Sequence, residues 1–251
     1  MEPIIVKYLV KPKLKDPVLI EGLPGVGNVG KISAEYLKEK LNAKPFVELY
    51  SKYLPPQVLM QNDGTISLVK NELCYYKNPN GRDLIILVGD YQGMSSEGQY
   101  ELSYKVLEIV KEYGAKLIFT LGGYGTGQLV DKPRVFGAAT HKELVEEMKK
   151  YGVYFSPTDP AGGIVGAAGL LLGLGSVVFD MKGVCLMGET SGYFSDPKSS
   201  YEILKIVKEY FNLELDLEEI ALRSQEITEI TTQLKEEQKS EERKEDLGYI
   251  G

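Results

Sequence analysis

Short, nearly continuous apolar runs recur along the chain at Val18–Ile20, Asp83–Asp90, Lys116–Leu121 and Gly183–Glu189, each bounded by glycine or an acid. Such runs predict strands covered by helices on both faces. Between them the period lengthens to that of a helix. Ile32, Tyr36, Leu37 and Leu41 follow the first run, and Leu102, Val106, Ile109 and Tyr113 share a face until Gly114. Leu144, Met148 and Tyr151 form a third face, and Ile203, Leu204, Val207 and Tyr210 a fourth. Capping boxes are expected at Ser96-Glu97-Gly98-Gln99, Thr140-His141-Lys142-Glu143 and Ser199-Ser200-Tyr201-Glu202. The stretch Ile164–Gly175 is apolar on every side and carries small residues at 166–169 and 173, which predicts a helix buried all round at the centre of the fold.

The N-terminal third reads differently. Apolar segments at 4–10, 46–50, Gln57–Met60, Thr65–Val69 and Leu73–Tyr76 are separated by Asn62-Asp63-Gly64 and Asn78-Pro79-Asn80-Gly81, the turn chemistry of a meander or hairpin. Together these patterns describe an α/β domain over residues 1–213. A helix over 214–235 follows, in which Leu217, Ile220, Ser224, Ile227, Thr231 and Leu234 repeat at the spacing of a helix-pairing seam. Its partner is either the chain's own body or a second copy. Residues 236–251 form a charged tether that ends in an apolar tip, Leu247, Tyr249, Ile250 and Gly251. An apolar tip on a solvated tether predicts a partner-docking element.

Composition narrows the function classes. A chain of 251 residues with 43% apolar content can bury one large core. A net charge of −7 and no block of Lys and Arg remove nucleic acid and anionic membrane as expected partners. No basic segment leads into an uninterrupted apolar core, so the expected compartment is the cytoplasm. Cys74 and Cys185 lack metal or disulfide spacing and are expected to be buried thiols.

The chemistry worth weighing sits at the first turn. Gly25, Gly27 and Gly30 have the G-x-G-x-x-G spacing of a pyrophosphate-binding loop, and Glu48 lies near the distance of a ribose-binding acid. Pro24 and the lack of a cation inside the turn favour the other use of such glycines, tight turning and close helix–strand packing. Glu21, Asp90 and Glu189 end three strands and are candidates to converge, as for a hard cation. His141, the one imidazole, stands at a helix start, and Ser191 and Ser195 have no base beside them in sequence. No catalytic, cofactor or metal residue is therefore assigned.

Glu21-Gly22-Leu23-Pro24-Gly25-Val26-Gly27-Asn28-Val29-Gly30, then Pro157 to Leu171, then Gly188-Glu189-Thr190-Ser191-Gly192-Tyr193 with Asp196-Pro197, resemble the proteasome-assembly chaperone family. The likeness is to the type of the second eukaryotic assembly chaperone and its archaeal homologues. It implies a phosphorylase/hydrolase-like three-layer α/β/α fold with a mostly parallel mixed sheet, used to bind proteins without a reaction. It also implies a cyclic homo-oligomer, a tetramer or pentamer, whose partners are proteasome α subunits or another protein. Family members reach the α-ring through a C-terminal hydrophobic–tyrosine–any-residue motif. Here Tyr249 is third from the end and Ile250 is penultimate. The expectation is thus a non-enzymatic scaffold without cofactors. The alternative is a phosphorylase- or hydrolase-like enzyme, or a nucleotide-binding protein, using the glycine-rich loops at 22–30 and 122–127.

Overall fold

The shortest strand of the main sheet is its hub. β2 (Val18–Glu21) is buried along its whole length and pairs in parallel with β7 (Leu84–Gly89) on one side and β8 (Leu117–Gly125) on the other. β10 (Lys182–Thr190) extends the parallel set beyond β8. Antiparallel strands flank this centre. β6 (Asn71–Tyr76), β3 (Lys44–Ser51) and β1 (Ile4–Tyr8) follow one another outward from β7, and β9 (Val135–Ala139) closes the far edge against β10. The order is β1-β3-β6-β7-β2-β8-β10-β9. This computed structural model describes residues 2–155, 162–229 and 232.

Side chains alternate between the two faces of the sheet, so the central runs must be apolar throughout. Val18, Ile20, Leu84 and Ile86 enter one core, and Leu19, Ile85 and Leu87 the other. The first core is covered by α1 (Val29–Lys40), α3 (Lys142–Lys149), α5 (Pro197–Tyr210) and the start of α6, a helix over 218–229. The second is covered by α2 (Ser96–Glu112) and α4 (Ala167–Phe179). The architecture is the three-layer α/β/α arrangement. Among the described residues no helix is long and apolar enough to cross a membrane.

Between β3 and β6 the chain makes a separate hairpin, β4 (Val58–Met60) and β5 (Ile66–Leu68), outside the main sheet. Gly64 takes φ +83° at its turn, and the Asp63 carboxylate accepts from the Thr65 N–H and hydroxyl. The Asn-Asp-Gly signal is thereby accounted for.

Several local expectations shift. The cap of α2 is Ser95, one residue earlier than the capping box at 96–99, because its Oγ accepts from the Gly98 N–H. Thr140 does not cap α3. Its hydroxyl bridges to β10 instead, accepting from the Gly183 N–H and donating to the Gly183 carbonyl, and His141 takes the N-cap position without a side-chain bond to the helix N–H groups. Asp196 caps α5, with Pro197 in its first turn, three residues ahead of the box expected at 199–202. The glycine-rich stretch after Leu121 is not all loop, since β8 runs on to Gly125 beside β10.

The largest correction concerns the apolar helix. α4 lies on the outside of the second core, with Leu171, Leu172, Gly175 and Phe179 inward, while Val177 is 86% exposed. Its outward residues are as apolar as its inward ones, so the pattern gave no sign of which side meets the sheet.

The cap assignment is testable: Ser95→Ala is expected to cost about 1 kcal/mol of stability in urea unfolding. Ser96→Ala is expected to stay within about 0.5 kcal/mol.

Candidate functional site

The first β-α turn carries the fingerprint glycines, and its geometry decides their use. After β2 the chain passes through Gly25 into a single 3-10 turn, Val26–Asn28, and then into α1. Gly27 sits at φ +58°, where a Cβ would also lie 2.9 Å from the Thr190 hydroxyl. Glycine is the residue that adopts this conformation without strain. At Gly30 a Cβ would stand 2.1 Å from the Leu121 carbonyl oxygen, and at Gly22 it would stand 2.1 Å from the oxygen of Gly30. A Cβ at Gly123 would meet the Val26 oxygen at 2.2 Å. The turn and the start of α1 are pressed, backbone on backbone, against the end of β8.

Protein groups fill the remaining space. The Gln92 amide donates to the Pro24 carbonyl, and the Asp196 N–H donates to the Gly27 carbonyl. Asn28 Nδ2 donates to Ser195 Oγ at 3.1 Å. These bonds tie the carbonyls of the turn and the Asn28 side chain to neighbouring loops. Here the glycines serve chain-to-chain packing.

The acids at the strand ends have separate fates. Glu21 Oε1 accepts from the Leu23 N–H at 3.0 Å, and Oε2 has no hydrogen-bond partner. Burial pushes this carboxyl up to about 8, opposed only by the single N–H. Glu189 is clamped by Arg134, whose Nη2 and Nε donate to its two oxygens at 2.8 and 3.1 Å. That guanidinium holds the Glu189 carboxyl below its usual range, and it also stacks over Phe136 and Tyr154. Asp90 accepts from the Lys70 N–H. Glu48, placed near the ribose position by spacing alone, lies on β3 instead, and bonds from Lys70 and Lys7 bring its carboxyl down to about 2.

Among the described residues, no three His, Cys, Asp or Glu are grouped to hold a metal. His141 bonds to Thr140 at 2.7 Å beside the start of β10, at the end of the sheet opposite the glycine turn. Both cysteines are free and buried, and burial raises the Cys74 thiol to about 11 and the Cys185 thiol to about 12. Arg134 was not singled out by sequence, because nothing near position 134 announces its partner fifty-five residues on.

The C-terminal seam starts on the chain's own body. Leu213, Leu215 and Ile220 are buried in the first core, and Leu217 packs partly against it. Tyr36 donates to the Asp216 carbonyl, and Lys40 pairs with Glu219. Ile227 lines a small cleft with Leu129, Val130 and Phe194, so the described part of α6 runs toward the loops at the strand ends. Thr231, Leu234, Leu247, Tyr249, Ile250 and Gly251 lie outside the described residues.

Comparison with known proteins places this geometry. A model of the PAC2 family matches residues 19–235. The uncharacterized protein MJ1210 of Methanocaldococcus jannaschii is 38% identical over 246 residues, covering 95% of this chain and 93% of the relative. The crystal structure of Pyrococcus furiosus PbaB, described as an archaeal proteasome activator, matches with a TM-score of 0.87 at 40% identity. That match covers 94% of this chain and 100% of PbaB. Pyrococcus furiosus PbaA, described as an archaeal homolog of proteasome-assembly chaperone, matches at 0.75 with 25% identity, over 99% of this chain and 100% of that one.

Gly30→Ala is expected to destabilise by about 3 kcal/mol or more, since the obstructing atom is backbone. Gly122→Ala, whose Cβ meets nothing within 4 Å, is expected to be neutral or to stabilise by about 0.5 kcal/mol. Paired urea titrations read the difference. Glu21 yields a pH prediction. Its native carboxyl holds a proton up to about 8 while the unfolded one releases it near 4.5, so the native state binds the extra proton between those values. Its contribution to stability is fully present below the lower value and is lost as pH rises to the upper, at up to about 1.4 kcal/mol per unit. Glu21→Gln is expected to abolish that slope and to exceed the native protein in stability at pH 8.

Proposed function

The chain belongs to the PAC2 family, and on that premise we propose that it is a cytoplasmic, non-enzymatic scaffold of the proteasome-assembly-chaperone kind. It forms a homo-oligomer and binds proteasome α subunits, or another protein, through its C-terminal tail. The observation that carries this reading is the likeness along nearly the whole chain to Pyrococcus furiosus PbaB, an archaeal proteasome activator. The glycine turn supports it from a second direction. The strand ends, where α/β proteins usually hold small ligands, are closed by the chain's own backbone and by Gln92, Asn28 and Asp196.

In this reading the body is an anchor and the tail is the reader. The seam residues Leu217, Ile220, Ile227 and Leu234 root the tail, either on the body or between copies. Leu247, Tyr249, Ile250 and Gly251 are the docking residues. Several tails presented by one oligomer raise a modest single-tail affinity through effective concentration.

A chain truncated after Leu234, and a full chain with Tyr249→Ala, test the reading by capture on an isolated proteasome α-ring. Truncation is expected to abolish capture and Tyr249→Ala to weaken it at least tenfold, with the melting temperature of the body unchanged. Capture that survives truncation undiminished removes the tail from the mechanism.

A further inference from the structure

Two surfaces of this chain turn apolar side chains away from its own core. The first is the β4–β5 hairpin. Its register pairs Val58 with Leu68 and Met60 with Ile66, which puts all four on one face. That face points outward, with Met60 86% and Ile66 66% exposed, while Leu59 on the other face packs on the core. From Gln57 to Leu68 the one charged residue is Asp63, in the turn. A two-stranded ribbon with its apolar side in water is marginal by itself.

The second surface is the outer face of α4. Leu170, Gly173, Val177 and Val178 follow one another there at helical spacing, with Leu174 at the margin, partly packed on the core, and no residue of the helix is charged. At Gly173 a Cβ would meet nothing within 4 Å, which leaves a shallow gap between the flanking aliphatics.

The two surfaces lie on opposite flanks of α2. The hairpin is held beside the start of α2, where Tyr53 packs against Gly98 and bonds to Glu97, and Gln57 bonds to Tyr91. α4 packs along the other side of α2, over β8 and β10. They cannot cover each other within one molecule.

We propose that the β4–β5 hairpin of one copy docks on the outer face of α4 in the next copy, in a head-to-tail contact that closes a ring. This rests on the homo-oligomer reading above and assigns the surfaces that make it. A second copy is the occupant because the chain itself supplies both halves of a match. One half projects large flexible side chains such as Met60, and the other offers a glycine gap in an aliphatic face. Neither apolar face carries a charge, Asp63 lying in the hairpin's turn, and depletion of charge marks the centre of protein interfaces. Surfaces on opposite flanks make a heterologous contact, which leaves a free half at each end until a ring closes.

The test uses the full chain in two variants, Met60→Asp with Ile66→Asp on the hairpin and Val177→Asp on the helix, weighed by native mass spectrometry. Each alone is expected to raise the dissociation constant of the assembly at least tenfold, with the far-ultraviolet circular dichroism of the native protein. Mixed together they are expected to form a dimer and nothing larger, because each contributes the half that the other lacks. Mixtures that remain monomeric, or single variants that assemble as the native chain does, overturn the proposal. An independent measurement is a Met60→Cys, Val177→Cys chain, expected to give disulfide-linked ladders between copies when oxidised with copper phenanthroline, which takes up the two electrons of each new bond. The native thiols are buried and do not compete. An intact assembly without ladders also overturns it. A native chain that is monomeric at every concentration defeats the homo-oligomer reading as well, whereas an oligomer indifferent to these substitutions defeats this assignment alone.

Discussion

The close approach of α1 and its leading turn to the end of β8 is the constraint on which the rest of this molecule depends. Gly22, Gly30 and Gly123 each stand where a side chain would overlap backbone oxygen at 2.1 or 2.2 Å. The absence of side chains at these positions lets α1 sit close over the sheet, and α1 in turn carries α5 and the start of α6. This approach also closes the strand ends. The crevice in which an open α/β sheet can take a nucleotide is here filled by the turn, by Thr190 against Gly27 and by Gln92 on Pro24.

Three glutamates that the sequence offered for chemistry differ widely in their surroundings. Glu21 ends β2 inside the seal, with one N–H to offset the loss of water, so desolvation wins and the carboxyl rises to about 8. Glu189 ends β10 at the rim, where Arg134 reaches both oxygens and charge pairing wins. Glu48 sits among Lys7, Lys70 and Tyr50 on the antiparallel side and falls to about 2. What separates them is the number of donors each meets. That number is a property of strand order, and strand order is not written beside any of the three residues.

The sequence was legible where local chemistry and burial agreed. The four central strands, the helices that follow them and the Asn-Asp-Gly hairpin turn were all visible, because period, turn residues and glycines pointed the same way. Caps were displaced by one to three residues: before α2 and α5 several side-chain oxygens cluster and only the fold chooses which one faces the helix, while at α3 the Thr140 hydroxyl is taken by β10. β9 was not seen. Val135-Phe136-Gly137-Ala138-Ala139 is short and rich in small residues, and it becomes a strand because β10 offers an edge. The strand-end acids were correctly located in sequence, yet they do not gather, for their side chains take different partners. The hairpin's outward face was written in the parity of Val58, Met60, Ile66 and Leu68, but parity alone does not say which face is wet.

α4 is the most informative of the errors. A helix apolar on every side is buried on every side, and from that rule Ile164–Gly175 reads as a central element. Within one chain the rule fails, because α2, β8 and β10 cover only the side that carries Leu171, Leu172 and Gly175. The rule concerns the state in which the helix functions, however, and a single chain is only part of that state for a protein that assembles. If the outer face is covered by another copy, α4 is interior after all, and its uncharged thirteen residues need no other explanation. The hairpin supports the same logic from the opposite side. Its inward residues include Leu59 and Ser67, and its outward residues are all apolar, the inverse of what a solvated ribbon on a monomer requires. Two inversions on one chain, one projecting and one recessed, are what the proposed contact between copies would cover.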